Sequence, residues 1–135
     1  MQEIKSPINE QFSSVYPDIT SSTKELLEAI ANALLERKAN DIVLLDVSEL
    51  TTLTEFFVVC HGNSDTQVKA IADHVMEEVR KKQSEKVWKQ EGQQSRQWII
   101  LDYVNVVVHV MTQEKREFYG IERMWNDATI TYVRD

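Results

Sequence analysis

The strongest constraint on the fold is one apolar run in the last third of the chain, residues 98–111, with the sequence WIILDYVNVVVHVM. Short apolar runs on either side of a polar break are typical of buried strands joined by a tight turn. The run therefore predicts an antiparallel hairpin within a sheet. Trp98, Asp102 and His109 interrupt its apolar character, which raises the question of whether the hairpin also carries function.

Helices and strands are predicted around this hairpin. Capping patterns at Ser22–Glu25 and Ser64–Gln67 precede apolar residues at helical spacing, which indicates two amphipathic helices, the first ending near Lys38. The apolar runs at 41–47 and 55–60 indicate strands covered on both faces. We therefore predict a single α/β domain with one mixed β-sheet flanked by helices.

The outer limits of this domain are placed at residues 21 and 128. Residues 129–135 are interpreted as a C-terminal tail, and residues 113–126 as one last helix. Residues 1–20 lack a clear period and are interpreted as an N-terminal extension. It is expected to be loose, or else packed onto the domain through Ile8, Phe12, Val15 and Tyr16.

Composition excludes several functional classes. The net charge of −7 and the pI near 5.0 argue against direct DNA binding, because phosphate recognition requires an excess of Lys and Arg. The single Cys60 excludes an internal disulfide and a multi-cysteine zinc site. No apolar run is long enough to span a membrane, and no signal peptide is evident, so a cytoplasmic location is expected.

A search for catalytic patterns finds none that is complete. The strand-to-helix turn Gly62–Asp65 resembles the Gly-Ser turn of nucleotidyltransferases, but no two carboxylates lie at i and i+2 to hold magnesium. Ser64 is therefore expected to cap a helix, and Cys60 to be a small buried residue facing away from His61. His109 is expected to bond to Asp102. The histidines show no metal-ligand spacing, so we predict no enzyme activity, no metal and no cofactor.

Six sequence blocks, in order and at consistent spacing, are similar to the ribosomal silencing factor family, also called the Iojap-like proteins. The similarity runs from about Thr23 to Ala128. The blocks are Lys38–Val47, Glu55–Asp65, Val68–Asp73, Glu91–Gly92 followed by Trp98–Asp102, Val107–Val110, and Arg116–Trp125.

This resemblance implies a nucleotidyltransferase-like topology without that chemistry. It also implies binding to the large ribosomal subunit through ribosomal protein L-fourteen, a steric block to joining with the small subunit, and repression of translation. Family members are expected to form homodimers when free. Two alternatives stay open, a nucleotidyltransferase-like enzyme and an assembly factor for the large subunit.

The resemblance also directs the choice of partner-binding residues, which we place on the hairpin and the last helix. Trp98 and Met111 are predicted as apolar anchors, Asp102, His109 and Glu122 as polar partners, and Arg116 and Tyr119 as their neighbours. Alternation places Trp98 and Asp102 on one strand face, and His109 and Met111 on one face of the next strand. Whether the two sets coincide depends on a register that the sequence does not determine.

Overall fold

A seven-stranded mixed sheet organises the described residues, which are 2–5 and 11–134 of this computed structural model. The strands are β1 Gln2–Lys5, β2 Asn40–Asp46, β3 Phe56–Gly62, β4 Lys89–Glu91, β5 Trp98–Asp102, β6 Val106–Thr112 and β7 Thr129–Arg134. The helices are α1 Gln11–Val15, α2 Ser21–Glu36, α3 Asp65–Gln83, α4 Gln113–Tyr119 and α5 Ile121–Met124.

The strand order is β1-β7-β2-β3-β6-β5-β4. β3 and β6 run parallel, and α3 lies in the crossover between them, as a parallel connection requires. β5 and β6 are antiparallel and form the hairpin, and β2 is antiparallel to both β3 and β7. The predicted α/β class with one mixed sheet is confirmed.

The sheet separates two hydrophobic cores of unequal size. The larger core packs α2 and α3 against one face, through residues such as Leu27, Ile30 and Ile71. The smaller core lies on the opposite face, where Ile121 of the short α5 covers Val43 and Val59. Because α4 and α5 are short, the β5–β6 end of this second face is only partly covered.

Both ends of the described chain pack into the fold. Residues 129–134 were expected to belong to a tail, but they form β7 between β1 and β2. Of the two readings left open for the extension, the structure has the packed one, since Phe12 is fully buried and Tyr16 nearly so. Ile8 lies outside the described residues. The β-branched and aromatic residues of TITYVR favour a strand and were the signal for β7.

The predicted last helix is interrupted at Gly120. Its left-handed backbone (φ 56°) ends α4, and its N–H bonds to the Arg116 carbonyl at 3.0 Å, a common glycine termination of helices. α5 then begins at Ile121. The break leaves Phe118 and Met124 exposed, although the sequence predicts that they lie on the same apolar face as Ile121.

The two long helices lie close to their predicted bounds. Ser64 caps α3 as predicted, accepting the Gln67 N–H at 3.1 Å. α2 is capped by Thr20 instead of Ser22, and it ends at Glu36. Among the described residues, no helix has the length and apolar character needed to cross a bilayer.

Candidate docking surface

The register of the hairpin unites the two predicted sets of residues. Trp98 pairs with Met111 and Asp102 with Val107, while Ile100 pairs with His109. Directly opposed residues in an antiparallel pair point to the same face. Trp98, Asp102, His109 and Met111 therefore share the face that α4 and α5 leave partly uncovered.

A chain of ring contacts, which we call the aromatic ladder, leads from this face to solvent. Its members are His109, Trp98, Tyr119 and Phe118. Ring centroids are 5.9 Å apart for His109 and Trp98, 4.7 Å for Trp98 and Tyr119, and 5.0 Å for Tyr119 and Phe118. Exposure rises from 8% at His109 to 44% at Tyr119 and 76% at Phe118. The ladder thus presents an apolar surface anchored in the sheet.

His109 holds Trp98 in place. The Trp98 Nε1–H donates to His109 Nδ1 at 3.0 Å, so the neutral imidazole carries its proton on Nε2. Burial lowers the pKa of His109 to about 4, which keeps the ring neutral at physiological pH. The predicted bond from His109 to Asp102 is wrong. His109 pairs with Ile100 and Asp102 pairs with Val107, two residues further along each strand, and the His109 ring bonds to Trp98 while the Asp102 carboxylate bonds to the Val104 N–H.

Asp102 shapes the turn between the hairpin strands. Its Oδ1 accepts the Val104 N–H at 2.8 Å, the local bond by which Asp often initiates turns. The Asn105 N–H then bonds to the Tyr103 carbonyl at 2.9 Å, closing a γ-turn centred on Val104. The half-buried carboxylate keeps acceptor capacity for a partner at the rim of the surface.

Arg116 of α4 and Glu122 of α5 bond to each other. The guanidinium contacts the carboxylate through two bonds, Nε to Oε1 at 3.3 Å and Nη2 to Oε2 at 3.1 Å. Nη1 also donates to the Asn40 carbonyl at 3.2 Å and to His61 Nδ1 at 3.0 Å. Arg116 is 8% exposed, and these hydrogen bonds are all to other residues of the chain. The Arg116–Glu122 pair therefore joins α4 and α5 to β2 and β3.

Met111 lies in the smaller core and is fully buried. A fully buried side chain has no surface to offer a partner, so the structure does not support Met111 as an exposed anchor. Phe118 takes that place at the outer end of the ladder. A single continuous helix over 113–126 would place Phe118 on the apolar face. Gly120 is the sequence signal that ends α4 and leaves Phe118 outside the core.

Comparison with known proteins decides the family. Residues 20–135 match the family model described as "Ribosomal silencing factor during starvation". The chain is also 37% identical over 107 residues to a ribosomal silencing factor of Halalkalibacterium halodurans, covering 79% of this chain and 91% of that protein. The chain belongs to the ribosomal silencing factor family.

Two further comparisons extend this result. A crystal structure of a Chromobacterium violaceum protein matches with a TM-score of 0.74 at 36% identity, over 76% of this chain and 85% of that one. A mouse protein named "Mitochondrial assembly of ribosomal large subunit protein 1" is 27% identical over 101 residues, which are 73% of this chain and 44% of the mouse protein. The family fold is thus present, and one relative is named for assembly of the large subunit.

The residues considered for catalysis make structural contacts in this chain. Cys60 is fully buried with its Sγ 3.8 Å from the His109 carbonyl, and burial raises its pKa to about 12, which suppresses the thiolate. His61 lies in the opposite core and bonds to Arg116. Burial and the neighbouring Arg116 charge lower the pKa of His61. Ser64 is the α3 cap.

Proposed function

We propose that this silencing factor binds the large ribosomal subunit through ribosomal protein L-fourteen and sterically blocks its joining with the small subunit, which represses translation. The activity requires no chemical step. The observation that carries the proposal is the aromatic ladder on a partly uncovered sheet face, in a chain of this family. Exposed, rigid aromatic side chains are typical anchors of protein interfaces.

The burial gradient along the ladder supports a docking role. Phe118 and Tyr119 are exposed and free to contact a partner, while Trp98 is half-buried and fixed from below by His109. An aromatic side chain that is already ordered loses little conformational entropy on binding. Asp102 and Ile100, both half-buried on the same face, complete the proposed surface.

The charge of the chain supports a basic protein as the direct contact. The net charge is −7, so the ribosomal RNA phosphates repel the molecule as a whole. Docking on a basic ribosomal protein compensates this repulsion and gives the approach a direction. The proposed partner L-fourteen fits that requirement as a protein contact on an RNA-rich particle.

We further infer that the free protein is a homodimer that buries the ladder of each copy. Phe118, which is 76% exposed, and its neighbour Tyr119 form an apolar patch in the monomer. Contact between this patch and water is unfavourable, and dimerisation would remove it. On this proposal the dimer and the ribosome compete for one surface.

A second role, assembly of the large subunit, is favoured by the name of the mouse relative. Both roles begin with the same particle. They separate in a deletion strain: an assembly role leaves precursors of large-subunit RNA, whereas a silencing role leaves mature subunits that join too readily when nutrients are scarce.

The decisive experiment is a subunit-joining assay with the double variant Phe118→Ala, Tyr119→Ala. We expect loss of the block and at least a tenfold weaker affinity for isolated large subunits, because interface aromatic residues often contribute about 2 kcal/mol or more each. The matched control is Trp88→Ala. Trp88 is 70% exposed but lies before β4, outside the ladder, so its removal leaves the block intact.

Circular dichroism and light scattering are measured on all variants. A folded double variant that still blocks joining would overturn the assignment of the ladder as the docking surface. Absence of binding by the unmodified protein to large subunits at low salt would overturn the proposed function itself.

A further inference from the structure

Three potential metal ligands converge between α2 and α3. Glu36 is the last residue of α2, and His74 and Glu78 lie one turn apart on α3. His74 Nε2 is 2.7 Å from Glu36 Oε1, and one ligand atom from each of the three residues lies within 4.8 Å of the others. It is the one such group of His, Cys, Asp and Glu found in residues 2–5 and 11–134.

The donor set suits a divalent transition metal. One imidazole nitrogen and two carboxylate oxygens are ordinary ligands of zinc, at about 2.0–2.2 Å from the ion. Tetrahedral ligands at such distances lie roughly 3.3 Å apart, which falls between the shortest and the longest separations in this group. Glu36 has a side chain 52% exposed at a helix end, so it can move by the small distance needed.

The surroundings favour a cation between the carboxylates. The His74 and Glu78 side chains are both only 15% exposed, and the His74 Nε2 that bonds to Glu36 points into the same small volume as Glu78. Two carboxylates that share one site repel each other unless a cation lies between them. Lys82 at 3.4 Å and Lys81 at 3.9 Å contact Glu78 from the solvent side, and both are long, exposed side chains that can swing away.

The scaffold beneath this group is rigid. His74 and Glu78 project from one face of α3, since residues four apart are neighbours on a helix. The adjacent face of α3 carries the fully buried Ile71 and Val75, and α2 packs against it through Leu34. Two of the three ligands therefore hold their spacing before any ion binds, which lowers the cost of binding.

We propose that Glu36, His74 and Glu78 bind a divalent transition metal ion of the zinc class. The ion takes three protein ligands and keeps one position for water. It cross-links the end of α2 to the middle of α3, on the side of the sheet opposite the aromatic ladder. Metal binding thus stabilises the fold and leaves the proposed docking surface free.

The spacing of these residues along the sequence does not indicate a metal site. A search for paired histidines at one-turn spacing finds nothing, because the partner of His74 four residues later is Glu78. The third ligand comes from another helix, and the packing of α2 on α3 alone brings it close.

The test is isothermal titration of zinc into the untagged full chain, stripped of metal, in a buffer that does not bind zinc. We expect one ion per chain and a higher melting temperature with zinc, because an ion that binds only the folded state stabilises it. His74→Gln and Glu36→Gln are each expected to weaken binding about tenfold or more. Glu36→Gln changes a half-exposed helix end, so it tests the site even if His74→Gln disturbs packing.

The matched control is Glu77→Gln. Glu77 adjoins Glu78 on α3, carries the same charge and pairs with Lys81 at 3.0 Å, but it lies outside the ligand group. Its removal is expected to leave zinc affinity unchanged. Absence of zinc binding, or equal affinity in Glu77→Gln, Glu36→Gln and His74→Gln, would overturn the proposal.

Discussion

Val104 occupies the most strained backbone position in the hairpin. It is a β-branched residue at φ 75°, at the centre of a γ-turn, and its side chain is 54% exposed. Such conformations cost of order 1–3 kcal/mol, and the strain is not offset here by burial of the side chain. This strain lies in the turn between β5 and β6, where the Val104 N–H bonds to the Asp102 carboxylate.

Replacing Val104 with Gly is therefore expected to stabilise the protein by about 1 kcal/mol. Glycine adopts positive φ without steric cost, although its greater freedom in the unfolded chain cancels part of the gain. Urea unfolding monitored by fluorescence measures the difference. Val104→Ala is the control, since it retains a Cβ and should gain less. A destabilised Val104→Gly variant would contradict the strain argument.

His109 makes the stability of the fold depend on pH. Its pKa is about 4 in the folded chain against an ordinary value of 6.5, because burial disfavours the charged ring. As pH falls from 6.5 towards 4, His109 becomes protonated in the unfolded chain but stays neutral in the folded chain. The free energy of unfolding should therefore fall, by roughly 3 kcal/mol at most across this window.

Urea unfolding at several pH values from 7 to 4 measures this loss. Burial and Arg116 also lower the pKa of His61, which adds to the loss in the same direction. His109→Gln removes one titrating group, so its stability should depend less steeply on pH than that of the unmodified protein. Identical slopes for the two proteins would show that His109 does not resist protonation.

At the scale of elements, the N-terminal segment is an integral part of the sheet. β1 pairs in parallel with β7, and Phe12 of α1 and Ile4 of β1 are fully buried in the larger core. The Tyr16 hydroxyl forms a hydrogen bond with Thr131 Oγ1 of β7. Burial raises the pKa of the Tyr16 hydroxyl to about 12, so this bond persists across the physiological range.

Phe12→Ala should accordingly destabilise the protein by about 3–5 kcal/mol, the usual cost of removing a buried phenylalanine ring. Thermal and urea unfolding give the value. Phe118→Ala is the matched control, because Phe118 is 76% exposed and its truncation should change stability by less than about 0.5 kcal/mol. Equal effects of the two changes would mean that residues 11–15 do not pack as described.

At the scale of the whole molecule, the features that the sequence predicted correctly are those set by residues close together in the chain. The runs around Leu44 and Val58 are nearly all apolar because α-helical and loop cover buries both strand faces, so they were recognisable. Ser64 predicted the start of α3 correctly, because a helix cap bonds to a residue within the first turn. The sheet class and the hairpin followed from these elements.

What sequence pattern missed depends on contacts between distant segments. β7 lies between β1 and β2, two strands that are far from it in the sequence. Which residues of the hairpin and of α4 reach the surface depends on the hairpin register and on the break at Gly120, since Met111 is buried and Phe118 is exposed. The bonds from Arg116 to the Asn40 carbonyl and to His61 likewise join segments that are far apart in the sequence.

The position of β7 has a consequence for how the chain is made. β1 is synthesised first, yet β7, its neighbour in the described sheet, is synthesised last, and β7 also completes the pairing of β2. Contacts between the two ends of a chain form late, because loop closure over long separations is slow. During translation the sheet therefore waits, open along β2, until residue 134 has left the ribosome.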